Sequence, residues 1–214
     1  VPNAALSPYL GKFVEEPYTG DKGYTPHPYP LSAYAGMISY LDQQVGLVME
    51  ALKKQNLDEN TLIMFSSDNG TTFKVGGVDA VFFNSTQGLR GLKTELYEGG
   101  IRVPFIARWK GKIAPGQQSD HVSVQYDLMA TLADLLKIEA PDNDGISYLP
   151  TLLGQKQLQK QHPYLYWEYP ENGGQIAVRL GDWKAVKMKM KTNPKAPWEL
   201  SNLTTARAEQ KDVA

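Results

Sequence analysis

Two stretches of this sequence carry residues whose types and spacing suit chemistry. The first is Phe65-Ser66-Ser67-Asp68-Asn69-Gly70, where a carboxylate and an amide carbonyl stand side by side after an apolar run. That pairing offers hard oxygen donors of the kind Ca²⁺ or Mg²⁺ takes as ligands. Ser-Asp-Asn-Gly is equally good turn chemistry, so the hexapeptide alone leaves both readings open. The second stretch runs Leu89-Arg90-Gly91-Leu92-Lys93, then Tyr97-Glu98-Gly99-Gly100-Ile101-Arg102-Val103-Pro104. The ammonium of Lys93 is a compact cation that can sit against an anionic oxygen. Adjacent glycines let backbone pass close to a ligand or another segment. Arg90, Glu98 and Arg102 read first as an ion-pair network holding a long loop, with Arg90 also a candidate substrate contact. His121, after Ser119-Asp120, is a second candidate substrate contact, weighed against a hydrogen-bonded structural histidine.

The elements that must position these residues follow from periodicity. Tyr34, Met37, Ile38, Leu41, Val45, Val48, Met49 and Leu52 repeat at helical spacing, which predicts a long amphipathic helix over 32–55. Thr61-Leu62-Ile63-Met64-Phe65 is a short apolar run suited to a buried, parallel strand, and Ile101 to Trp109 reads as another. Asp68 and Asn69 then lie just past a strand's carboxyl end, where open α/β sheets bind ligands. Residues 70–100 form a Gly-rich loop, and 123–137 predict a second helix. Residues 1–30, with Pro2, Pro8, Pro17, Pro26, Pro28 and Pro30, read as an extended arm packed on something larger. After residue 160 the pattern changes. Tyr164–Tyr169, Gln175–Leu180 and Trp183–Met190, separated by Asn172-Gly173-Gly174 and Gly181-Asp182, are hairpin signals. The expected fold is therefore α/β: a partial, mostly parallel sheet flanked by helices, then a small antiparallel sheet. The expected division is 1–160 for the α/β domain and 161–214 for the small-sheet subdomain.

Composition narrows the classes. With 22 basic against 23 acidic side chains the chain lacks the basic excess of a nucleic-acid binder. It contains no cysteine, which removes disulfides, thiolate metal sites and cysteine nucleophiles together. No run approaches the roughly 18 apolar residues of a membrane span. Lys184, Lys187, Lys189, Lys191 and Lys195 form a basic stretch without an acid. It reads as a lysine-protected strand face before a basic rim that steers an anionic ligand.

Taken in order, these motifs resemble the type I sulfatases, the arylsulfatase family of the alkaline phosphatase superfamily. The resemblance rests on Asp68-Asn69-Gly70, on Arg90-Gly91-x-Lys93 and on Tyr97 to Pro104. It also includes Leu41-Asp42-x-x-Val45-Gly46, Tyr126-Asp127 to Leu132, Asp144-Gly145-Ile146-Ser147, Leu152-Leu153-Gly154 and Val178-Arg179-x-Gly181-Asp182-Trp183-Lys184. It implies that Asp68 and Asn69 are ligands of an active-site calcium, ahead of magnesium, and that Lys93 contacts the sulfate group and its bridging oxygen. The family nucleophile is a hydrated formylglycine made from Cys or Ser in a Cys/Ser-x-Pro-x-Arg motif, and no such motif occurs here. The resemblance thus points to the C-terminal portion of a sulfatase acting on a sulfated carbohydrate or aryl sulfate, with formylglycine supplied by the rest of the enzyme. It further implies an inactive isolated chain, a periplasmic or secreted parent, and an exposed sheet edge favouring self-association. Two other readings stay open: a phosphodiesterase or phosphonate-hydrolase relative, and a non-catalytic module binding sulfated glycans.

Overall fold

The computed structural model describes residues 1–21 and 23–214, which gather into two compact units. The first comprises 1–58 and 71–88, the second 59–70 and 89–214.

The first unit is built on α2, Pro30–Lys54, which follows the short α1, Asn3–Leu6. Proline suits the first position of α2 because its missing N–H would have no helical partner there. The next free amides are satisfied from a distance: the Glu15 carboxylate accepts from Leu31 N at 2.9 Å and Ser32 N at 2.8 Å. Gly36 lets α1 approach, since a Cβ there would stand 2.7 Å from the Ala5 carbonyl oxygen. Phe13, Phe82, Phe83 and Tyr34 form an aromatic cluster beside them. The expectation of an extended arm holds only in part, because residues 3–9 are helical and Tyr18 pairs with His27 in an isolated antiparallel bridge. The long helix is confirmed, but its apolar stripe is not its buried face. Burial is concentrated at Pro30, Leu31, Ser32, Ala33 and Gly36, while Met37, Ile38, Leu41 and Val48 are exposed.

The second unit begins with β1, Ile63–Ser66, and β2, Phe105–Arg108, separated by a long irregular segment that ends in the short α3, Glu98–Ile101. The mixed α/β class is as expected, but these strands do not pair in parallel. β1 and β2 are antiparallel neighbours, with Ile63 opposite Arg108 and Ser66 opposite Phe105. An apolar run signals a strand without giving its neighbour's direction, and here the chain returns to pair with itself. Helix α4, Asp127–Leu136, is shorter than the predicted 123–137 and ends at Lys137 in the left-handed region. The short α5, Leu149–Leu152, buries Leu149, Thr151 and Leu152.

The C-terminal sheet is a four-stranded antiparallel meander: β3 Leu165–Tyr169, β4 Gln175–Leu180, β5 Trp183–Lys187 and β6 Glu199–Asn202. Gly181-Asp182 closes the two-residue β4–β5 turn, with φ of +57° at Gly181. Strand alternation turns Lys184 and Val186 inward, and Val186 and Ala177 pack with Leu96 and Tyr97 in one core cluster. The expected lysine face is therefore shortened: β5 stops at Lys187, and Lys184 lies among the buried residues.

Candidate active site

Asp68, Asn69 and Lys93 all belong to the second unit. Ser66 and Ser67 shape the end of β1 through hydrogen bonds from their hydroxyls to Pro104 O at 3.1 Å and Asn69 O at 2.8 Å. Gln125 Nε2 donates to Ser67 O at 2.8 Å. The Asn69 amide nitrogen donates to Gly70 O at 2.9 Å, and among the described residues nothing donates to its side-chain oxygen. Asp68 is exposed, and among the described residues nothing donates to its carboxylate. Lys93 is exposed and likewise has no acidic partner among them.

The turn carrying the two oxygen donors is joined to the loop carrying the lysine through backbone alone. Gly70 N donates to Gly100 O at 2.8 Å, and Gly99 N donates to Arg90 O at 2.6 Å. A Cβ on Gly70 would overlap the Gly99 carbonyl. One on Gly99 would strike the carbonyls of Gly91 and Arg90, and one on Gly100 those of Glu95 and Leu92. The glycines of both motifs are thus required by the same three-layer contact of main chain.

Below this contact lies a charged layer. Lys184 Nζ, fully buried, bonds Glu98 Oε1 at 3.0 Å and Glu209 Oε1 at 3.1 Å. Glu98 Oε2 also takes Arg102 at 3.1 Å, and Glu209 Oε2 accepts the amide of Glu98 at 2.5 Å. Burial works to raise the Glu98 carboxyl, but Lys184 and Arg102 outweigh it and hold the group below the usual carboxylate range. For Glu209, burial prevails over Lys184 and pushes the carboxyl up. Arg90 lies over the Tyr97 ring at 3.8 Å and bonds Glu199 Oε2 at 2.6 Å, while Tyr97 donates to Glu199 Oε1 at 2.8 Å. Burial and that hydrogen bond drive the Tyr97 hydroxyl well above its ordinary value. The ion-pair network read from Arg90, Glu98 and Arg102 is therefore present, extended by Lys184, Glu199 and Glu209. The guanidinium of Arg90 is committed to Glu199, Tyr97 and the Glu209 carbonyl.

His121 stands in a different cluster. Asp127, wholly buried, accepts from Ile146 N and His162 Nε2, each at 2.8 Å, and from Val124 N at 2.9 Å. Burial lowers the His121 pKa against the pull of Asp127. Among the described residues neither ring nitrogen completes a hydrogen bond.

As a metal site, Asp68 and Asn69 fit Ca²⁺ in kind but fall short in number. Both offer oxygen, yet calcium takes about six to eight such ligands. Among the described residues no group of three or more His, Cys, Asp or Glu side chains could hold a metal ion.

Comparison with known proteins gives two family matches. The Sulfatase model covers residues 2–138, and the model described as N-sulphoglucosamine sulphohydrolase, C-terminal, covers 92–214. The N-acetylgalactosamine-6-O-sulfatase of Bacteroides thetaiotaomicron is 34% identical over 165 residues, 73% of this chain and 31% of that protein. Human arylsulfatase A is 38% identical over 151 residues, 68% of this chain and 28% of its own. Among solved structures, a Bacteroides thetaiotaomicron protein from a study of glycosaminoglycan metabolism matches with a TM-score of 0.72 at 30% identity. That match covers 90% of this chain and 44% of the other. Ps i-CgsB, solved with a neocarrahexaose, matches with a TM-score of 0.75 at 27% identity over 100% of this chain and 42% of its own. The chain thus spans about a third of the length of the curated relatives it matches.

Proposed function

Because the chain belongs to the sulfatase family, we propose that it forms part of an enzyme hydrolysing sulfate esters, and that Asp68, Asn69 and Lys93 are its contribution to the chemistry. The supporting observation is the backbone contact through Gly70, Gly99 and Gly100, which ties an exposed carboxylate to the loop of an exposed ammonium.

In this reading Asp68 and Asn69 hold calcium through side-chain oxygens, with further ligands from outside this pair. Once bound, the metal supplies positive charge opposite the sulfuryl oxygens. Lys93 Nζ donates to the sulfate group and to the bridging oxygen, stabilising the charge that grows there as the S–O bond breaks. The buried charged layer takes no part in the reaction and keeps α3, and with it the glycine contact, in place. The Cys/Ser-x-Pro-x-Arg motif that carries the family nucleophile does not occur in this sequence.

The relatives named above support a sulfated carbohydrate as substrate. The segment 161–214 is assigned to shaping the pocket for it, and the enzyme to the periplasm or the cell exterior. The test is sulfate release from an aryl sulfate by the intact gene product. Asp68→Ala and Lys93→Ala should each reduce kcat/KM by about a hundredfold or more. Unchanged turnover in both variants would refute the assignment. Glycan binding that survives both Asp68→Ala and calcium removal, without turnover, would show a binding module instead.

A further inference from the structure

The loop that presents Lys93 has a conformation its own sequence does not favour. Leu92 O accepts from Glu95 N at 2.9 Å, so Lys93 and Thr94 are the central residues of a tight turn. Thr94 has φ of +77°, the value of the third residue in a type II turn, where glycine is the usual occupant. A β-branched side chain is strained there, and the strain persists only when surrounding structure imposes it.

That structure comes from the far end of the chain. Gln175, the first residue of β4 and only 1% exposed, uses both ends of its amide on this turn. Its Nε2 donates to Thr94 O at 2.8 Å, and its Oε1 accepts from Leu96 N at 3.1 Å. Asn172, in the β3–β4 connection, donates from Nδ2 to Thr94 Oγ1 at 2.8 Å. The Glu95 carboxylate closes the turn from the other side by accepting from Leu92 N at 3.0 Å. Three side chains therefore hold Leu92, Thr94 and Leu96 around Lys93, while the lysine itself stays exposed.

We propose that Gln175, assisted by Asn172, is a positioning residue for Lys93: the C-terminal sheet clamps a strained turn and so fixes where the ammonium stands relative to the Asp68–Asn69 donors. The clamp acts through the lysine and touches no substrate, and its catalytic meaning rests on the sulfate-ester reading above. Geometry of this kind matters because displacement of a catalytic group by about 1 Å can cost roughly a hundredfold in rate.

The experiment uses the intact gene product with an aryl sulfate and with hydrogen–deuterium exchange. Gln175→Ala should lower kcat by roughly tenfold to a hundredfold with a smaller change in KM. Asn172→Gly, which removes one exposed hydrogen bond and accepts the left-handed backbone of that position (φ +49°) without strain, should lower kcat roughly threefold. Both losses should vanish in a Lys93→Ala background, because a residue acting through Lys93 has nothing left to position. Exchange over 92–97 should quicken in both variants while 176–187 stays protected. Losses that add to that of Lys93→Ala would overturn the proposal, as would exchange that quickens equally in the sheet. If the unsubstituted protein turns over no sulfate ester, the functional reading falls, and exchange alone decides whether the clamp exists.

Discussion

Lys184 shows how far one residue's surroundings can depart from its type. Its ammonium has no solvent exposure and stands between Glu98 and Glu209, both nearly as buried. A buried pair of this kind adds little net stability, yet removing one member leaves an uncompensated charge. Lys184→Ala should therefore cost about 3–5 kcal/mol in urea denaturation at neutral pH. Glu209→Gln keeps an acceptor for the Glu98 amide and leaves Lys184 one carboxylate partner, so it should cost clearly less. A larger loss from Glu209→Gln would sink this division of charge. The pH profile follows from opposite shifts. Glu98 is held low, so its contribution is present above the ordinary Glu pKa and lost as pH falls through the lowered one. Glu209 is pushed up, so its contribution is present below the ordinary value and lost as pH rises through the raised one. Glu209→Gln should flatten the second window in a stability-versus-pH series and leave the first.

At the scale of elements, the same substitution should have opposite signs in two places. Gly70, Gly99 and Gly100 leave no space for a methyl group between three layers of backbone. Gly70→Ala or Gly100→Ala must separate α3 from the β1 turn or from the Arg90–Glu95 loop, and thermal denaturation should show a large loss of stability for each. Gly46, inside α2, would meet nothing within 4 Å. Gly46→Ala should stabilise by about 0.5–1 kcal/mol, by lowering the entropy of the unfolded chain and improving helix propensity. Little change on melting the Gly70 variant would remove the physical link proposed between the two motifs. The sequence alone identified both glycine-bearing motifs. It did not show that they are one contact, because nothing in local spacing says that Gly70 and Gly99 meet across a 29-residue separation.

At the scale of the molecule, each unit leaves an apolar face in solvent. In the first, Met37, Ile38, Leu41, Leu47 and Val48 are exposed along α2. In the second, Leu128, Met129, Leu132 and Leu136 of α4 line a cavity of about 550 Å³ with Ile138. Contiguous apolar surface on this scale binds hydrophobic probes. A dye such as ANS should fluoresce with the native chain, and Leu136→Lys should reduce the signal without lowering the melting temperature. A fall in the melting temperature would mean that Leu136 already has a packing partner. No helix among the described residues is long and apolar enough to cross a membrane.

What the sequence determined by itself was local or ordered along the chain. Helical spacing located α2, turn residues located the C-terminal hairpins, and the succession of motifs identified the family. These properties depend on neighbours a few residues apart, so they survive without a tertiary structure. Only the fold decided that β1 and β2 run antiparallel, that Lys184 is buried between two carboxylates, and that Gln175 grips the turn behind Lys93. Each depends on segments that meet across 25 to 111 positions: Lys184 with Glu209, Ser66 with Phe105, Thr94 and Leu96 with Gln175, Glu98 with Glu209. A side chain's charge is written in its type, but its burial and its partners belong to whichever distant segment packs against it.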